Sequence, residues 1–400
     1  MTQKKQITKR TFICNILPSD YIIKSKASQA AINFCNRLVD GKCFNDIRSI
    51  TPISYQLPPQ ITYKNITFYI NNGKNKINKI VRYILLNVKL ARDTHTSDAI
   101  WFYNLTFSCL LAYTLLKFIW RKKIYIIMAD YTPSSNIFSL QSFIGWLLRK
   151  CDGMISLSAR SCFKHIKNLK VKAGIIDENM LNIKSEKKDI NDIIFLFSGT
   201  LSPVTGYDMA LKVFSKIPNA QLYISGNGEF PTEYKKYTNL HFFGNMKYED
   251  YLCLLDSATI CLNLRNPNLP ENNNNFPSKV LDYFSKGKIV LSTISYPEIK
   301  GANYILSEYN EAAITKSIQD IINMDINELL KYSDNISFLR MNFTVQAWKE
   351  TIHDGKDWSL LDPTLGANNK SKDVKKYIGD GSKYIVKYTV YENCILAKLS

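Results

Sequence analysis

The apolar positions of the chain fall into short, nearly continuous runs, separated by segments in which they recur at helical spacing. Thr11 to Leu17 reads as a first strand, with a loop around Lys24 to Ser28 and a helix beginning near Ala27. Between 46 and 90 the pattern is less regular: Ile61 to Ile70 alternates as a strand does, and Ile77 to Ala91 has the spacing of a helix. Ala99 to Tyr103 then predicts a buried strand, Leu105 to Trp120 a helix, and Ile124 to Ala129 a strand ending at Asp130, before a short strand at Gly153 to Ser158. A charged stretch from Lys184 to Asp192 reads as a linker.

Beyond it the alternation restarts. Strands are expected at Ile193 to Leu201, Gln221 to Ser225, Leu240 to Phe243, Thr259 to Leu264, Ile289 to Leu291 and Tyr304 to Leu306, and helices at Tyr207 to Lys216, Tyr248 to Ser257, Ser278 to Phe284 and Ala312 to Ile322. Runs this apolar suit strands covered on both faces, so the pattern predicts an α/β fold with parallel sheets between helices. Two such series imply two Rossmann-like, doubly wound domains, at 1–185 and 191–340, whose strand-to-helix loops face a common cleft. From about 356 the pattern breaks. Asp357 to Asp380 is polar, Lys383 to Tyr391 alternates as an exposed strand, and the tail at 356–400 is either an added hairpin or disordered.

Composition agrees with two folded domains. The chain has 400 residues, long for one core, and at 46% hydrophobic it is too apolar to be disordered. The formal net charge of +18 lies entirely in the first half: residues 1–190 hold 30 basic and 11 acidic groups, against 22 and 23 in residues 191–400. Clusters stand at Lys4 to Arg10, Arg121 to Lys123, Arg149 to Lys150 and Lys164 to Lys172. Such a surface suits anionic lipid head groups, a phosphorylated acceptor or nucleic acid, unless it is simply a solvated basic face. No nucleic-acid recognition motif accompanies it, and the aromatics fall mainly in apolar runs. Nine cysteines without a CxxC pair, and four histidines, argue against disulfides or a zinc site and for reduced thiols. Thr11 to Leu17 is too short for a signal-peptide core, and Leu105 to Trp120 contains Lys117, so neither export nor a membrane span is expected.

The chemistry concentrates in Arg265 to Thr293. There a loop rich in Asn ends in Phe276-Pro277-Ser278, and Lys279-Val280-Leu281-Asp282 opens a helix that Gly287 stops. Unpaired amide groups and the helix dipole at such a start suit a pyrophosphate; Ser278 can cap it, and Lys279 and Arg265 can add charge. Read blandly, Lys279 is a solvated first-turn residue and Arg265 a strand-end charge paired with Glu271. No Asp-x-Asp, Gly-x-Ser-x-Gly or Walker loop occurs, so the chain lacks the residues of a metal-chelating transferase, a serine hydrolase or an ATPase.

With Ser198-Gly199-Thr200-Leu201 before Gly206, and Gly226-Asn227-Gly228 after the next strand, this segment resembles the donor-binding domain of GT-B glycosyltransferases of the group 1 or family 4 type. Phe276-Pro277-Ser278-Lys279 with Asp282 looks like an FPSK variant of that family's Glu-x7-Glu segment. Asn342-Phe343 with Trp348 resembles its C-terminal helix, expected at 341–355 and returning to the first domain. The first half agrees more loosely, so the likeness spans about residues 10 to 352. Asn274 stands where the family carries its first Glu. It can bond sugar hydroxyls but cannot take a proton as a carboxylate does.

The resemblance implies donor contacts from Gly199, Thr200, Arg265, Asn275, Phe276, Pro277, Ser278, Lys279, Val280 and Asp282, with Asn274 and Asp130 in catalytic positions. Asp130 has a turn role before Pro133 as its plain alternative. The expected activity is retaining transfer of a sugar from a nucleotide-diphosphate sugar to a glycan or lipid-linked acceptor in polysaccharide or cell-envelope assembly. No metal or other cofactor is expected, nor nucleic acid. The expected location is cytoplasmic, in peripheral contact with the anionic inner face of the membrane through the basic half. A catalytically inactive sugar- or nucleotide-binding GT-B scaffold, or a nucleic-acid-directed protein, are the alternatives.

Overall fold

The computed structural model describes residues 9–15, 29–51, 58–63, 65–129, 131–182, 193–273 and 275–353, and strands at 372–377, 383–391 and 394–399. Eight strands form the first sheet: β1 (Arg10–Cys14), β2 (Asp46–Thr51), β3 (Gln60–Tyr63), β4 (Ile66–Ile70), β5 (Ala99–Tyr103), β6 (Lys123–Met128), β7 (Gly153–Ser156) and β8 (Leu169–Val171), in the order β3-β4-β2-β1-β5-β6-β7-β8. Only β3 runs antiparallel to its neighbour. The second sheet is parallel throughout, with β9 (Ile194–Thr200), β10 (Gln221–Asn227), β11 (Leu240–Gly244), β12 (Ile260–Asn263), β13 (Ile289–Ser292) and β14 (Ile305–Leu306) in the order β11-β10-β9-β12-β13-β14. Both orders reverse direction beside the first strand of their series, between β1 and β5 and between β9 and β12. Such switch points open crevices at the carboxyl ends of the strands.

Alternate side chains of each strand enter different cores, the signature of a sheet covered on both faces. Phe12, Cys14, Trp101 and Tyr103 pack on one side of the first sheet, and Ile13, Ile100 and Phe102 on the other. Phe195 and Phe197 divide from Leu196 in the same way in the second. The covering helices are α1 (Gln29–Asp40), α2 (Lys76–Thr94), α3 (Leu110–Thr114) and α4 (Leu140–Leu148), then α5 (Tyr207–Phe214), α6 (Tyr248–Ser257), α7 (Pro270–Asn273), α8 (Lys279–Ser285), α9 (Glu311–Asn323), α10 (Ile326–Leu330), α11 (Ile336–Phe343) and α12 (Val345–His353).

α12 lies against the first sheet's helices. Trp348 is fully buried, meets Phe34 of α1 edge-on at 5.1 Å and donates its indole N–H to the Gly174 carbonyl at 2.8 Å. Lys172 beside it donates to the Ala347 carbonyl (2.8 Å) and Thr351 Oγ1 (2.9 Å). Burial pushes its amine down to about 7.

Three expectations need correction. The alternating run at Ile61 to Ile70 is two antiparallel strands, β3 and β4, because Asn65 takes a left-handed conformation (φ 65°) that turns the chain. Leu105 to Trp120 is a 3₁₀ turn (Phe107–Cys109), α3 and a π-helical turn (Leu115–Ile119), not one helix. Thr114 Oγ1 bonds back to the Leu110 carbonyl at 2.8 Å where the helix widens. In the tail, β15 (Lys372–Tyr377), β16 (Lys383–Tyr391) and β17 (Cys394–Leu399) pair as a three-stranded antiparallel sheet, one strand more than a hairpin. The expected linker at 184–192 lies outside the described residues. Among those described, no helix is long and apolar enough to cross a membrane.

Candidate active site

The site is built at the carboxyl end of β9. Gly199 has φ +117°, and a side chain there would collide with Lys279, whose ammonium hydrogen-bonds the Ser198 carbonyl. A side chain on Gly226, at the end of β10, would collide with the Gly199 carbonyl in turn. These glycines let two strand ends and a lysine from α8 converge where bulkier residues would hold them apart. Beneath them Ser198 Oγ hydrogen-bonds the hydroxyls of Tyr283 (2.8 Å) and Tyr251 (3.3 Å).

Arg265, just past β12, completes the positive side of the site. Its guanidinium donates to Asn272 Oδ1 at 3.3 Å, and the Asn272 amide donates to the carbonyls of Val204 (2.8 Å) and Asn266 (3.0 Å). The buried Asn272 thus ties the Arg265 loop to the turn after β9. Burial lowers both cations below their ordinary ranges; the Lys279 ammonium falls to about 8, with Arg265 adding to the effect. Two desolvated positive groups close enough to repel one another are prepared for an anion.

Asp282 follows one turn later on α8. Burial pushes its carboxyl up to about 6, opposed by Arg37 of α1 and by Lys279 and reinforced by Asp177. Arg37, which hydrogen-bonds the Ile175 carbonyl, and Asp177 both belong to the first domain, so their influence on Asp282 puts the acid where that domain meets the second.

A cavity of about 230 Å³ is lined by Asn272, the partner of Arg265, with Asn275, Ser295, Tyr296 and Glu298 and, from the first domain, Ala159. Glu298 Oε1 accepts the Ala159 backbone N–H at 2.5 Å, an interdomain bond, while its buried Oε2 has no partner among the described residues. Burial raises the Glu298 carboxyl above its usual range.

Of the residues singled out in the sequence, Gly199, Lys279 and Arg265 come together, with Thr200 exposed at the tip of β9 and Asn275 lining the cavity. Phe276 and Val280 instead bury their side chains in the core, and Pro277 is buried as well, leaving this segment's backbone as what a ligand can meet. Ser278 holds the N-cap position but its side chain makes no capping bond, because its backbone is already helical (φ −54°, ψ −27°). α8 has only seven residues, so the paired cations carry more of the positive potential than its dipole does. Arg265 pairs with Asn272, not with Glu271. Asn274 and Asp130 lie outside the described residues. Asn272 and Glu298 escaped the sequence reading because neither stands in a motif; the Pro-Glu pair after β13 was the only signal for the second.

Residues 180–336 match the family model described as "Glycosyl transferases group 1". They form a group 1 glycosyltransferase domain. The match takes in β9 to β14 and the site just described except Arg37, Ala159, Ile175 and Asp177, which the first domain supplies. The whole GT-B architecture recurs in solved structures. Sucrose-phosphate synthase from Thermosynechococcus elongatus is similar with a TM-score of 0.61 and 11% identity, over 86% of this chain and 97% of that one. The Anabaena protein HepE, solved in complex with UDP and glucose, gives 0.60 and 14% over 90% and 100%. A glycosyltransferase from Rickettsia africae gives 0.57 and 12% over 87% and 100%. No curated protein sequence matches the chain. At these identities the structures establish the fold, and the glycosyltransferase assignment comes from the domain match.

Proposed function

We propose that the protein moves a sugar from a nucleotide-diphosphate sugar held by the second domain to a glycan or lipid-linked acceptor held by the first, in polysaccharide or cell-envelope assembly. The observation that carries this reading is the convergence of Lys279 and Arg265 on the Gly199 turn within a group 1 glycosyltransferase domain. The diphosphate would lie against those cations and the backbone of 275–278, which takes the place a metal ion fills in other transferases. Asp282 would accept a ribose hydroxyl, and the cavity lined by Asn272, Asn275 and Glu298 would receive the sugar. That HepE was solved with UDP and glucose supports a nucleotide and a sugar as the ligands.

In the reaction the acceptor oxygen bonds to the anomeric carbon as the bond from that carbon to the diphosphate breaks. The bonding electrons leave with the nucleotide diphosphate, where Lys279 and Arg265 stabilise the new charge. In the retaining course the resemblance implies, the acceptor proton passes to a phosphate oxygen of the donor. Asn274 fits this course, because no protein carboxylate has to take that proton. The peripheral membrane contact proposed for the basic first half would keep a lipid-linked acceptor at the cleft.

The test is slow hydrolysis, with water as acceptor, followed by proton NMR against a panel of nucleotide sugars. Consumption of one donor, releasing sugar first as the donor's own anomer, supports retaining transfer. Release as the opposite anomer contradicts retention. Binding without turnover, even with acceptor lipid extract added, supports the inactive scaffold, for which the missing first Glu at Asn274 is the motive.

A further inference from the structure

The outer face of α2 carries an apolar stripe that nothing among the described residues covers. Ile77, Ile80, Val81, Ile84, Leu85 and Val88 recur at helical spacing and are between 42% and 73% exposed. Leu86, Leu90 and Ala91, on another face, are what fasten the helix to the core. A water-facing helix needs one apolar face, so the second is built for a solvent other than water. The surface continues beyond α2. Phe107, 58% exposed, stacks on Tyr83 at 4.9 Å. Phe118 and Ile119 stand exposed on the π-helical turn packed against α2, and Phe118 stacks on Trp146 of α4.

Charge identifies the occupant. α2 holds five basic residues and one acidic, Arg121 to Lys123 follow Ile119 directly, and Arg149 and Lys150 follow α4. Lys150 Nζ lies over the Trp146 ring, 5.7 Å from its centroid. An apolar stripe with aromatic rings and a basic rim matches the boundary of an anionic bilayer, where the apolar groups reach the acyl chains and the cations stay with the head groups. A second copy of the chain would instead set this basic rim against itself.

The same helix walls a cavity of about 630 Å³. Ile80, Ile84 and Leu86 line it with Phe107 and with Ile50 of β2. Asn15, Asn71 and Thr106 also line it, and they follow β1, β4 and β5, which puts the cavity at the carboxyl ends of the first sheet. Ligands of such sheets bind there. We propose that α2 seats the protein on an anionic lipid bilayer and that this cavity takes the hydrocarbon end of a lipid acceptor, its head group reaching toward the second domain. The choice of a lipid as acceptor rests on the sugar-transfer reading; the seating on the membrane does not.

Flotation of the full chain tests the seating, with vesicles of phosphatidylcholine alone and of phosphatidylcholine with phosphatidylglycerol. The wild type should float with the anionic vesicles. Combined Ile77→Ser, Val81→Ser and Leu85→Ser, all outside the cavity, should weaken that binding about tenfold or more. Combined Lys76→Glu, Arg82→Glu and Lys89→Glu should weaken it roughly a hundredfold. Calorimetric nucleotide binding by each variant controls for folding and keeps a failure of this proposal distinct from a failure of the donor site. Equal flotation with both vesicle types, or flotation that neither variant changes, overturns the seating. So does a wild type that stays off vesicles and sediments as a dimer that the serine variant dissociates. For the cavity, a lipid with a diazirine in its acyl chain is included in the vesicles: label at Ile50 or Leu86 supports it, and label confined to Ile77, Val81 and Leu85 overturns it.

Discussion

The Lys279 ammonium occupies the space that a Cβ on Gly199 would fill. One residue belongs to the end of β9 and the other to the first turn of α8, so a single pair fixes the distance between that strand end and the charge proposed to meet the diphosphate.

Gly199→Ala should therefore displace Lys279 and strain a backbone held at φ +117°. The expected loss is about 1–3 kcal/mol of stability, together with weaker nucleotide binding. Thermal unfolding and calorimetry on the one variant measure both, and unchanged affinity would remove Lys279 from the site.

The two displaced ionisations predict how affinity varies with pH. Asp282 is charged above about 6 and Lys279 below about 8. Binding of a nucleotide sugar, which has no terminal phosphate to titrate in this window, should be tightest between those values and fall on both sides. The effect on folding follows the same signs. Asp282, raised from 3.8, favours the fold most at low pH and loses that contribution as pH climbs toward about 6. Lys279, lowered from 10.5, disfavours the fold while charged and is relieved only as pH rises from about 8. Near neutrality both charges oppose folding and await a ligand. Affinity that is flat from pH 5 to 9, in a titration of the wild type, would refute the pairing.

Trp348→Ala should free α12 from the first domain. It empties a fully buried site and removes the hydrogen bond to Gly174, for a loss of about 3–5 kcal/mol. Lys172, no longer covered, should titrate nearer the ordinary lysine range than its present value of about 7. Urea denaturation and NMR of the labelled lysine are the measurements; a midpoint unmoved by the substitution contradicts the assigned packing.

Glu298→Ala deletes the carboxylate that receives the Ala159 amide across the domain boundary. Exchange of that amide hydrogen should speed up while amides in the cores of both sheets keep their protection. Unchanged exchange at Ala159 would show that Glu298 does not hold the two domains together there.

Much of this was legible in the residues. Runs such as Ala99 to Tyr103 and Ile289 to Leu291 are apolar on both faces, and that property follows from the sheet they build, so the two parallel sheets could be read directly. Gly199 and Lys279 were likewise visible, because a glycine at a strand end and a lysine at a helix start are local signals. Asn272 was not, since its role consists of hydrogen bonds to Val204 and Arg265 from other loops. The same holds for Glu298, whose partner is 139 residues away. Ser278 misled in the opposite sense: its type favours capping, but its backbone conformation rules that out. α2 was read as a helix from its period, yet the pattern alone does not say which of its two apolar faces the core takes.

The central claim, a nucleotide-diphosphate sugar bound where Lys279 and Arg265 converge, is tested most directly by calorimetric titration with UDP, GDP, ADP and CMP. Each is run against the wild type and the Lys279→Ala, Asp282→Ala double variant. The account predicts tight binding of one nucleotide to the wild type and its loss in a variant that remains folded. No binding of any of the four to the folded wild type, or equal binding to both proteins, would contradict it.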